Sequence, residues 1–127
     1  MINEFNLEYL KTISDKRGTI IFMKNGQIFL NLVEIKQGFS RGGHYHPFTS
    51  SHNLILGKVE YMEFNTITLE EEKVICEAPF EIVVAPYVAH LLTALNDVLF
   101  IEIFKNKYDA TIFPKYREIV NKKILEN

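Results

Sequence analysis

The sequence lacks the cysteine pairs of a disulfide-bonded protein. It contains one cysteine and no tryptophan among 127 residues. A single cysteine excludes an internal disulfide bond, and the strand-like, apolar neighbours of Cys76 favour a small buried hydrophobe in a reducing compartment. We find no internal repeat, low-complexity tract or linker, so residues 1–127 are predicted to form a single domain.

An excess of positive charge is also lacking. Sixteen acidic residues against fourteen basic ones give a formal net charge of -2. A protein that binds the phosphate backbone of DNA or RNA needs a basic surface, so we do not expect a nucleic-acid partner. There is likewise no basic amphipathic stretch that would attach the chain to a membrane surface.

Long hydrophobic runs are missing as well. The most apolar stretch, residues 80–95, is interrupted by Glu81, Pro86 and His90, and so it is not expected to cross a bilayer. Residues 1–10 have neither the basic start nor the apolar run of a signal peptide. The expected location is the cytoplasm.

What the sequence does contain is a series of short β-type segments separated by turn signals. The dipeptide Asn25-Gly26 predicts a hairpin, and residues 38–43, with three glycines, predict a loop. Short strands at this spacing are typical of an all-β sandwich or barrel. The predicted strands cover residues 19–23, 27–35, 54–64, 66–69, 73–76, 80–85, 89–95 and 98–104. Only residues 114–125 show helical spacing, and they predict one amphipathic helix that packs on the barrel.

The four histidines are the clearest functional signal. His44 and His46 are two residues apart, so both side chains project to one face of an extended segment. His90 follows a proline corner late in the chain, and His52 begins the strand after the pair. Three imidazoles can hold Zn, Fe, Mn, Ni or Cu, and they can equally act as acids and bases near neutral pH.

These motifs resemble those of the cupins. Residues 38–46, GFSRGGHYH, fit the first cupin motif, a glycine followed after five residues by His-x-His, and Gly57 stands where that motif ends. Residues 86–90, PYVAH, resemble the second motif, a proline-led corner that ends in the third histidine. The resemblance implies a small jelly-roll barrel, a double-stranded β-helix, with a metal site at His44, His46 and His90.

One position departs from the cupin pattern. A glutamate usually follows the histidine pair by three or four residues, and here those positions hold Ser50 and Ser51. His52 shares the strand parity of Ser50 and is a candidate fourth ligand, or it points to solvent. A metal-free site in which His44 and His46 perform proton chemistry is the alternative.

Three further segments are similar to sugar-nucleotide cupins, namely the dTDP-4-dehydrorhamnose 3,5-epimerases and the dTDP-4-keto-6-deoxyhexose 3,4-ketoisomerases. They are residues 15–18, DKRG, residues 41–46, RGGHYH, and the tail that begins at Tyr108-Asp109. The resemblance implies an isomerase or epimerase of a dTDP- or UDP-linked 4-keto-6-deoxy sugar in surface polysaccharide biosynthesis, with no cofactor required.

In that reading the residues would divide the chemistry between them. His44 and His46 would be the catalytic base and the donor that stabilises an enolate, in either order. Arg41 and Arg17 would bind the diphosphate, and Tyr45 and Tyr87 would stack on the base or the sugar. Glu102 shares the strand face of two phenylalanines, so it is either a carboxylate inside the barrel or a solvated surface group.

Two other functions remain open. One is a metal-dependent cupin, such as a dioxygenase of a small molecule, with a divalent Zn, Fe, Mn or Ni ion. The other is a cupin that binds a small ligand without catalysis. We also expect a homodimer, because an open β edge tends to be covered, and the apolar residues Ile2, Phe5, Leu7 and Tyr9 could supply a strand to the partner subunit.

Overall fold

The fold of this chain is given by a computed structural model that describes residues 6–127. These residues form eleven strands followed by one helix. In chain order the elements are β1 (Glu8–Asp15), β2 (Gly18–Asn25), β3 (Ile28–Ile35), β4 (Ser40–Tyr45), β5 (Ser50–Leu56), β6 (Lys58–Asn65), β7 (Glu71–Glu77), β8 (Phe80–Val84), β9 (Val88–Ala94), β10 (Val98–Phe104), β11 (Thr111–Ile112) and α1 (Pro114–Glu126).

The strands of the described region make two antiparallel sheets. One sheet has six strands in the order β1-β2-β3-β10-β5-β8, and the other has five in the order β11-β4-β9-β6-β7. From β3 onward the chain crosses repeatedly from one sheet to the other, so strands distant in sequence become neighbours. This is the small β-barrel with one C-terminal helix that the sequence predicted, and the all-β prediction is confirmed.

The hydrophobic core lies between the two sheets and has members from both. Val33 and Phe100 of the six-stranded sheet pack with Val59 and Leu92 of the five-stranded sheet. Cys76 belongs to the same cluster and is buried, as predicted, and burial raises the pKa of its thiol. Because burial of apolar side chains stabilises a protein by about 25 cal/mol per Å², this cluster holds the two sheets together.

The helix α1 packs on the outside of the five-stranded sheet. Its residues Tyr116 and Val120 are buried against Ala89 and Leu91 of β9, which confirms the predicted amphipathic face. The Tyr116 hydroxyl donates a hydrogen bond of 2.7 Å to the carboxylate of Glu71. The helix therefore has a fixed position over β4 and β9.

The hairpin predicted at Asn25-Gly26 is present, since β2 and β3 pair up to Asn25 and Ile28. The predictions for residues 38–43 and 66–69 were wrong. The predicted loop at residues 38–43 is largely strand, because β4 begins at Ser40 and accommodates its glycines in a bulge. The predicted strand at residues 66–69 is a turn, because the Asn65 side chain accepts hydrogen bonds from the amides of Ile67 and Thr68.

The partner strand expected from the N-terminus is only partly within the described region. Ile2 and Phe5 lie outside it. Tyr9 lies in β1, which pairs with β2 of the same chain and forms the outer edge of the six-stranded sheet. The homodimer remains a prediction.

Within residues 6–127 no helix has the length and apolar character needed to span a bilayer.

The segment 54–64, predicted as one strand bent at Gly57, is in fact two strands that belong to different sheets. Gly57 forms the corner between β5 and β6 with a φ of 93°. A β-carbon there would overlap the carbonyl oxygen of Asp97 and would lie 2.8 Å from the Asn96 side chain. Only glycine fits this corner, which directs β5 and β6 into the two sheets.

We therefore predict that Gly57→Ala lowers the free energy of unfolding by about 3 kcal/mol or more, because left-handed strain and steric overlap add up. Gly26→Ala is the matched control, since Gly26 also has a positive φ, of 61°, but no atom lies within 4 Å of its added β-carbon. The control should lose only about 1–2 kcal/mol. Urea denaturation of both variants measures the difference, and equal losses would contradict this account of the corner.

Candidate metal centre and barrel cavity

Two neighbouring strands of the five-stranded sheet bring three histidines together. His44 in β4 stands directly opposite His90 in β9 in the antiparallel register. His46 follows just beyond the end of β4, and its carbonyl oxygen accepts a 2.7 Å hydrogen bond from the amide of Tyr87. Side chains opposite each other in an antiparallel pair are close neighbours, so this register makes the site.

We call His44, His46 and His90 the three-histidine cluster. One ring nitrogen from each histidine lies within 4.8 Å of the other two. His46 and His90 are almost fully buried, at 3% and 1% exposure, and His44 is half-buried. The structure thus brings together the three residues that the sequence predicted as metal ligands.

Hydrogen bonds fix the orientation of two of these rings. The Nδ1 atom of His46 lies 2.8 Å from the carbonyl oxygen of Asp109, and the Nδ1 atom of His90 lies 3.2 Å from that of Val88. A carbonyl can only accept, so Nδ1 carries the proton in both rings and the Nε2 lone pair stays available. Histidines that ligate metals in proteins are commonly held in this way.

Burial also sets the charge state of two of these histidines. Desolvation and the neighbouring His46 lower the pKa of His44 to about 4. Burial, together with the nearby His52 and His44, lowers the pKa of His90 well below its usual range. Both imidazoles are therefore neutral at pH 7, which is the form that binds a metal ion.

His52 approaches the cluster from the other sheet. It lies in β5, is 2% exposed, and its ring centroid is 5.3 Å from that of His90. Its Nε2 atom is 3.2 Å from Oε2 of Glu102, whose other oxygen accepts a 3.0 Å hydrogen bond from Asn31. His52 thus points inward rather than to solvent, but it pairs with a carboxylate and lies outside the three-histidine cluster.

Glu102 is therefore a carboxylate inside the barrel, which was one of the two alternatives for it. Burial by itself would raise the pKa of Glu102, but the hydrogen bonds from His52 and Asn31 lower it overall, to about 2. The barrel interior therefore holds one negative charge beside its four histidines.

The positions where cupins usually carry a glutamate provide no carboxylate here. Ser50 is buried at 2% exposure, and its hydroxyl has no hydrogen-bond partner within residues 6–127. Ser51 is half-buried on the opposite parity of the strand. Within residues 6–127, the side chains of this cluster that could hold a metal ion are thus imidazoles.

A cavity of about 510 Å³, which we call the barrel cavity, opens beside the cluster. His44, His90, Arg17 and Arg41 line it, so both arginines predicted to bind substrate face the same space as two of the histidines. Arg17 pairs with Asp15 at 2.7 Å in the turn between β1 and β2.

Neither tyrosine predicted to stack on a substrate lines the barrel cavity. Tyr45 points to the face of β4 opposite His44 and His46. There it packs against the apolar cluster beneath α1, which consists of Ala89, Leu91, Tyr116 and Val120. Tyr87 is 44% exposed in the turn before β9, and its contact with the site is made by its backbone amide. Their stacking role remains a prediction without a supporting contact.

The structure gives a place in the site to residues for which the sequence predicted no role there. Asn31 anchors Glu102, Asp109 orients His46, and Tyr108 and Arg117 line the barrel cavity. Of the other residues in the barrel, only Glu102 was indicated by the sequence, because it shares a strand face with two phenylalanines. Arg117 reads as an ordinary charge on the polar side of a predicted helix, and no sequence pattern marks it.

Comparison with known proteins supports the fold and does not identify a close relative. No family model and no curated protein matches the sequence. Solved structures do match. The oxalate decarboxylase of Bacillus subtilis, studied for its Mn(II) centres, has a TM-score of 0.72 and 18% identity over 92% of this chain. That of Lactobacillus farciminis, solved as a formate complex, has a TM-score of 0.69 and 20% identity over 92% of this chain.

A third match is the crystal structure of CapF with the inhibitor 3-isopropenyl-tropolone, with a TM-score of 0.67 and 15% identity over 84% of this chain. All three proteins are much longer, since the match covers only 33%, 37% and 32% of their respective chains. The neighbours are cupins, and at these identities the likeness shows that this chain has the cupin fold. The fold leaves the reaction open, because function depends on the site.

The lowered pKa values lead to a prediction about acid stability. A histidine that is held neutral in the folded protein takes up a proton on unfolding. Below about pH 6.5 the unfolded chain therefore binds more protons than the folded one, and the free energy of unfolding decreases as the pH is lowered. Each such histidine contributes a slope of at most about 1.4 kcal/mol per pH unit. We expect His44 and His90 to produce this loss between pH 6.5 and roughly 4 in EDTA-treated protein.

Denaturant unfolding at half-unit pH steps measures the loss of unfolding free energy. His44→Asn should reduce the slope of this free energy against pH by the contribution of one histidine. The carboxylate of Glu102 contributes separately, because its lowered pKa is relevant only below the ordinary value of 4.5. A free energy of unfolding that stays constant between pH 6.5 and 4.5 would contradict the neutral state of His44 and His90.

Proposed function

We propose that this cupin-fold protein is a metal-dependent enzyme that binds one divalent transition-metal ion through His44, His46 and His90 and acts on a small organic molecule in the barrel cavity. The observation that carries the proposal is the pair of hydrogen bonds from the Nδ1 atoms of His46 and His90 to backbone carbonyls. They direct both Nε2 lone pairs away from the backbone, which is the arrangement that a metal ligand needs.

The number of protein ligands favours a catalytic site over a structural one. Structural sites are closed by four protein ligands, whereas catalytic sites commonly have three and leave a position for water or substrate. With serines at positions 50 and 51, the cluster supplies three imidazoles. His44 and His90 border the barrel cavity, so the remaining coordination position would face the space where a ligand enters.

The donor set also distinguishes between metals. Imidazole suits Fe, Zn, Ni and Cu, whereas Mn prefers sites that include carboxylate or other oxygen ligands. We therefore expect this chain to bind Fe(II), Zn(II), Ni(II) or Cu(II) more tightly than Mn(II), the ion of the B. subtilis oxalate decarboxylase. When bound, such an ion supplies Lewis-acid polarisation of an oxygen atom or a site for redox chemistry.

The protein's own groups would prepare the site for that chemistry. Asp109 and Val88 hold two ligand rings in one tautomer through their carbonyl oxygens. Glu102 places a negative charge near the cationic centre, and His52 and Asn31 keep its carboxylate in position. Phe100 and other apolar side chains of the barrel cavity exclude water and so strengthen electrostatic interactions inside it.

We predict that the purified protein, loaded with Fe(II) or Zn(II) and desalted, retains close to one ion per chain. His44→Ala and His90→Ala should each weaken metal binding by more than the ~10–100-fold that loss of an outer-shell partner typically costs. Metal analysis by mass spectrometry gives the stoichiometry, and competition with a chelator gives the affinity.

His52→Ala is the control for this experiment. It also removes a buried histidine, but one that is paired with Glu102, so it should lose stability and weaken metal binding by no more than the ~10–100-fold expected of an outer-shell group. Loss of metal in His52→Ala together with retention in His90→Ala would contradict the assignment of ligands.

A second candidate function is the isomerisation or epimerisation of a nucleotide-linked 4-keto sugar. The observation in its favour is that Arg17 and Arg41 line the same cavity as His44, which would act as the base. Against it, both arginines already have partners, because Arg17 pairs with Asp15, and Arg41 donates a 3.0 Å hydrogen bond to the Glu34 carbonyl.

A thermal-unfolding titration separates the two candidates. The metal-centre proposal predicts that EDTA lowers the midpoint, that Fe(II) or Zn(II) restores it, and that dTDP and UDP leave it unchanged. A nucleotide at a hundred times its dissociation constant would stabilise the fold by about 2.7 kcal/mol, a shift of several degrees. Such a shift with no effect of EDTA would favour the sugar-nucleotide enzyme, and turnover of a keto sugar would be assayed next.

A further inference from the structure

Helix α1 contributes an arginine to the barrel cavity. Arg117, in the first turn of the helix, lines the cavity together with His44 and Tyr108. Its position depends on Gly43 in the bulge of β4, where an added β-carbon would lie 2.8 Å from the backbone nitrogen and Cα of Arg117. The missing side chain at Gly43 lets the helix approach the strand closely enough for Arg117 to reach the cavity.

Arg117 differs from the other arginines of the cavity in its partners. Arg17 pairs with Asp15 at 2.7 Å, and Arg41 donates to the Glu34 carbonyl and lies 3.9 Å from Asp15. Arg117 makes no ion pair within residues 6–127, and its buried Nε atom has no hydrogen-bond acceptor there. A desolvated donor without an acceptor is costly, and an anionic ligand would remove that cost.

We propose that Arg117 is a ligand-binding residue that holds the oxyanion of a small organic acid beside the three-histidine cluster. A guanidinium group presents two parallel N–H donors, which match the two oxygens of a carboxylate or phosphate group. The inference rests on the proposed function, since it names the class of molecule on which that site would act.

The rest of the cavity defines the body of this ligand. Four phenylalanine rings line the wall, and Phe29 and Phe104 stack at a centroid distance of 5.1 Å. Such a wall favours an aromatic or aliphatic body, and a volume of about 510 Å³ is in the range of small-molecule sites. The ligand class is therefore an organic oxyanion with an apolar body, either a carboxylate or a phosphate monoester.

Benzoate, phenyl phosphate and benzamide test this assignment on the metal-loaded protein. Benzamide has the shape of benzoate without its charge, so it reports on the apolar wall alone. We expect benzoate or phenyl phosphate to bind at least about 10-fold more tightly than benzamide, because a hydrogen bond to a charged group is strong. The tighter of the two anions identifies the head group. Isothermal titration calorimetry measures the three affinities.

Arg117→Gln should weaken binding of the preferred anion by about 10-fold or more and leave benzamide unchanged. Lys122→Gln removes the same charge from an exposed position of the same helix and should change neither affinity. Arg117→Lys keeps the charge but loses the two parallel donors, so its affinity should fall between those of the wild type and Arg117→Gln.

Two outcomes would overturn the inference, namely equal binding of all three probes by the wild type, or unchanged anion affinity in a folded Arg117→Gln. The first comparison needs no variant, so the test does not depend on the folding of Arg117→Gln. Metal content, measured in parallel, separates this inference from the proposed function. Anion binding that depends on Arg117 in a protein without affinity for metal would overturn only the metal centre.

Discussion

The antiparallel register of β4 with β9 is the constraint on which the site depends. It puts His44 opposite His90, and the bulge that shifts the register before His44 adjusts the direction of the strand as it approaches His46. A slip of one residue would turn the β4 side chains to the other face. His44 would then point towards the cluster beneath α1, where Tyr45 now packs.

The same register explains the division of labour between the two faces of the five-stranded sheet. Its inner face carries histidines and faces the barrel cavity, whereas its outer face carries Leu91 and Ala89, on which α1 packs. Apolar burial under the helix stabilises the strands that hold the imidazoles. The polar groups inside the barrel are costly to bury, and hydrogen bonds to backbone carbonyls and to Glu102 offset part of that cost.

Charge is distributed unevenly around the cavity, and this bears on both proposals. Burial keeps the imidazoles of His44 and His90 neutral at pH 7, and the carboxylate of Glu102 lines the same cavity, as does Arg117 from the helix. The positive charge of Arg117 and that of a bound divalent metal ion would both favour an anionic ligand. The phenylalanines that line the same cavity would contact the apolar body of such a molecule.

The sequence by itself determined the all-β class, the hairpin at Asn25-Gly26, the C-terminal helix and the identity of the three clustered histidines. These follow from local signals, because alternation, turn residues and the spacing of His44 and His46 are properties of short segments. The course of residues 38–43 was misjudged, because glycines with positive φ are typical of loops and also of bulges within strands.

Only the tertiary structure decided which further side chains face the cavity. Glu102 and His52 lie 50 residues apart in the sequence, yet the β5–β10 register makes them direct partners. Arg117 reaches the cavity because Gly43 admits the helix backbone, and Tyr45 is turned away from it by strand parity. Such choices depend on the packing of distant segments against one another, and a local pattern of residues does not contain that information.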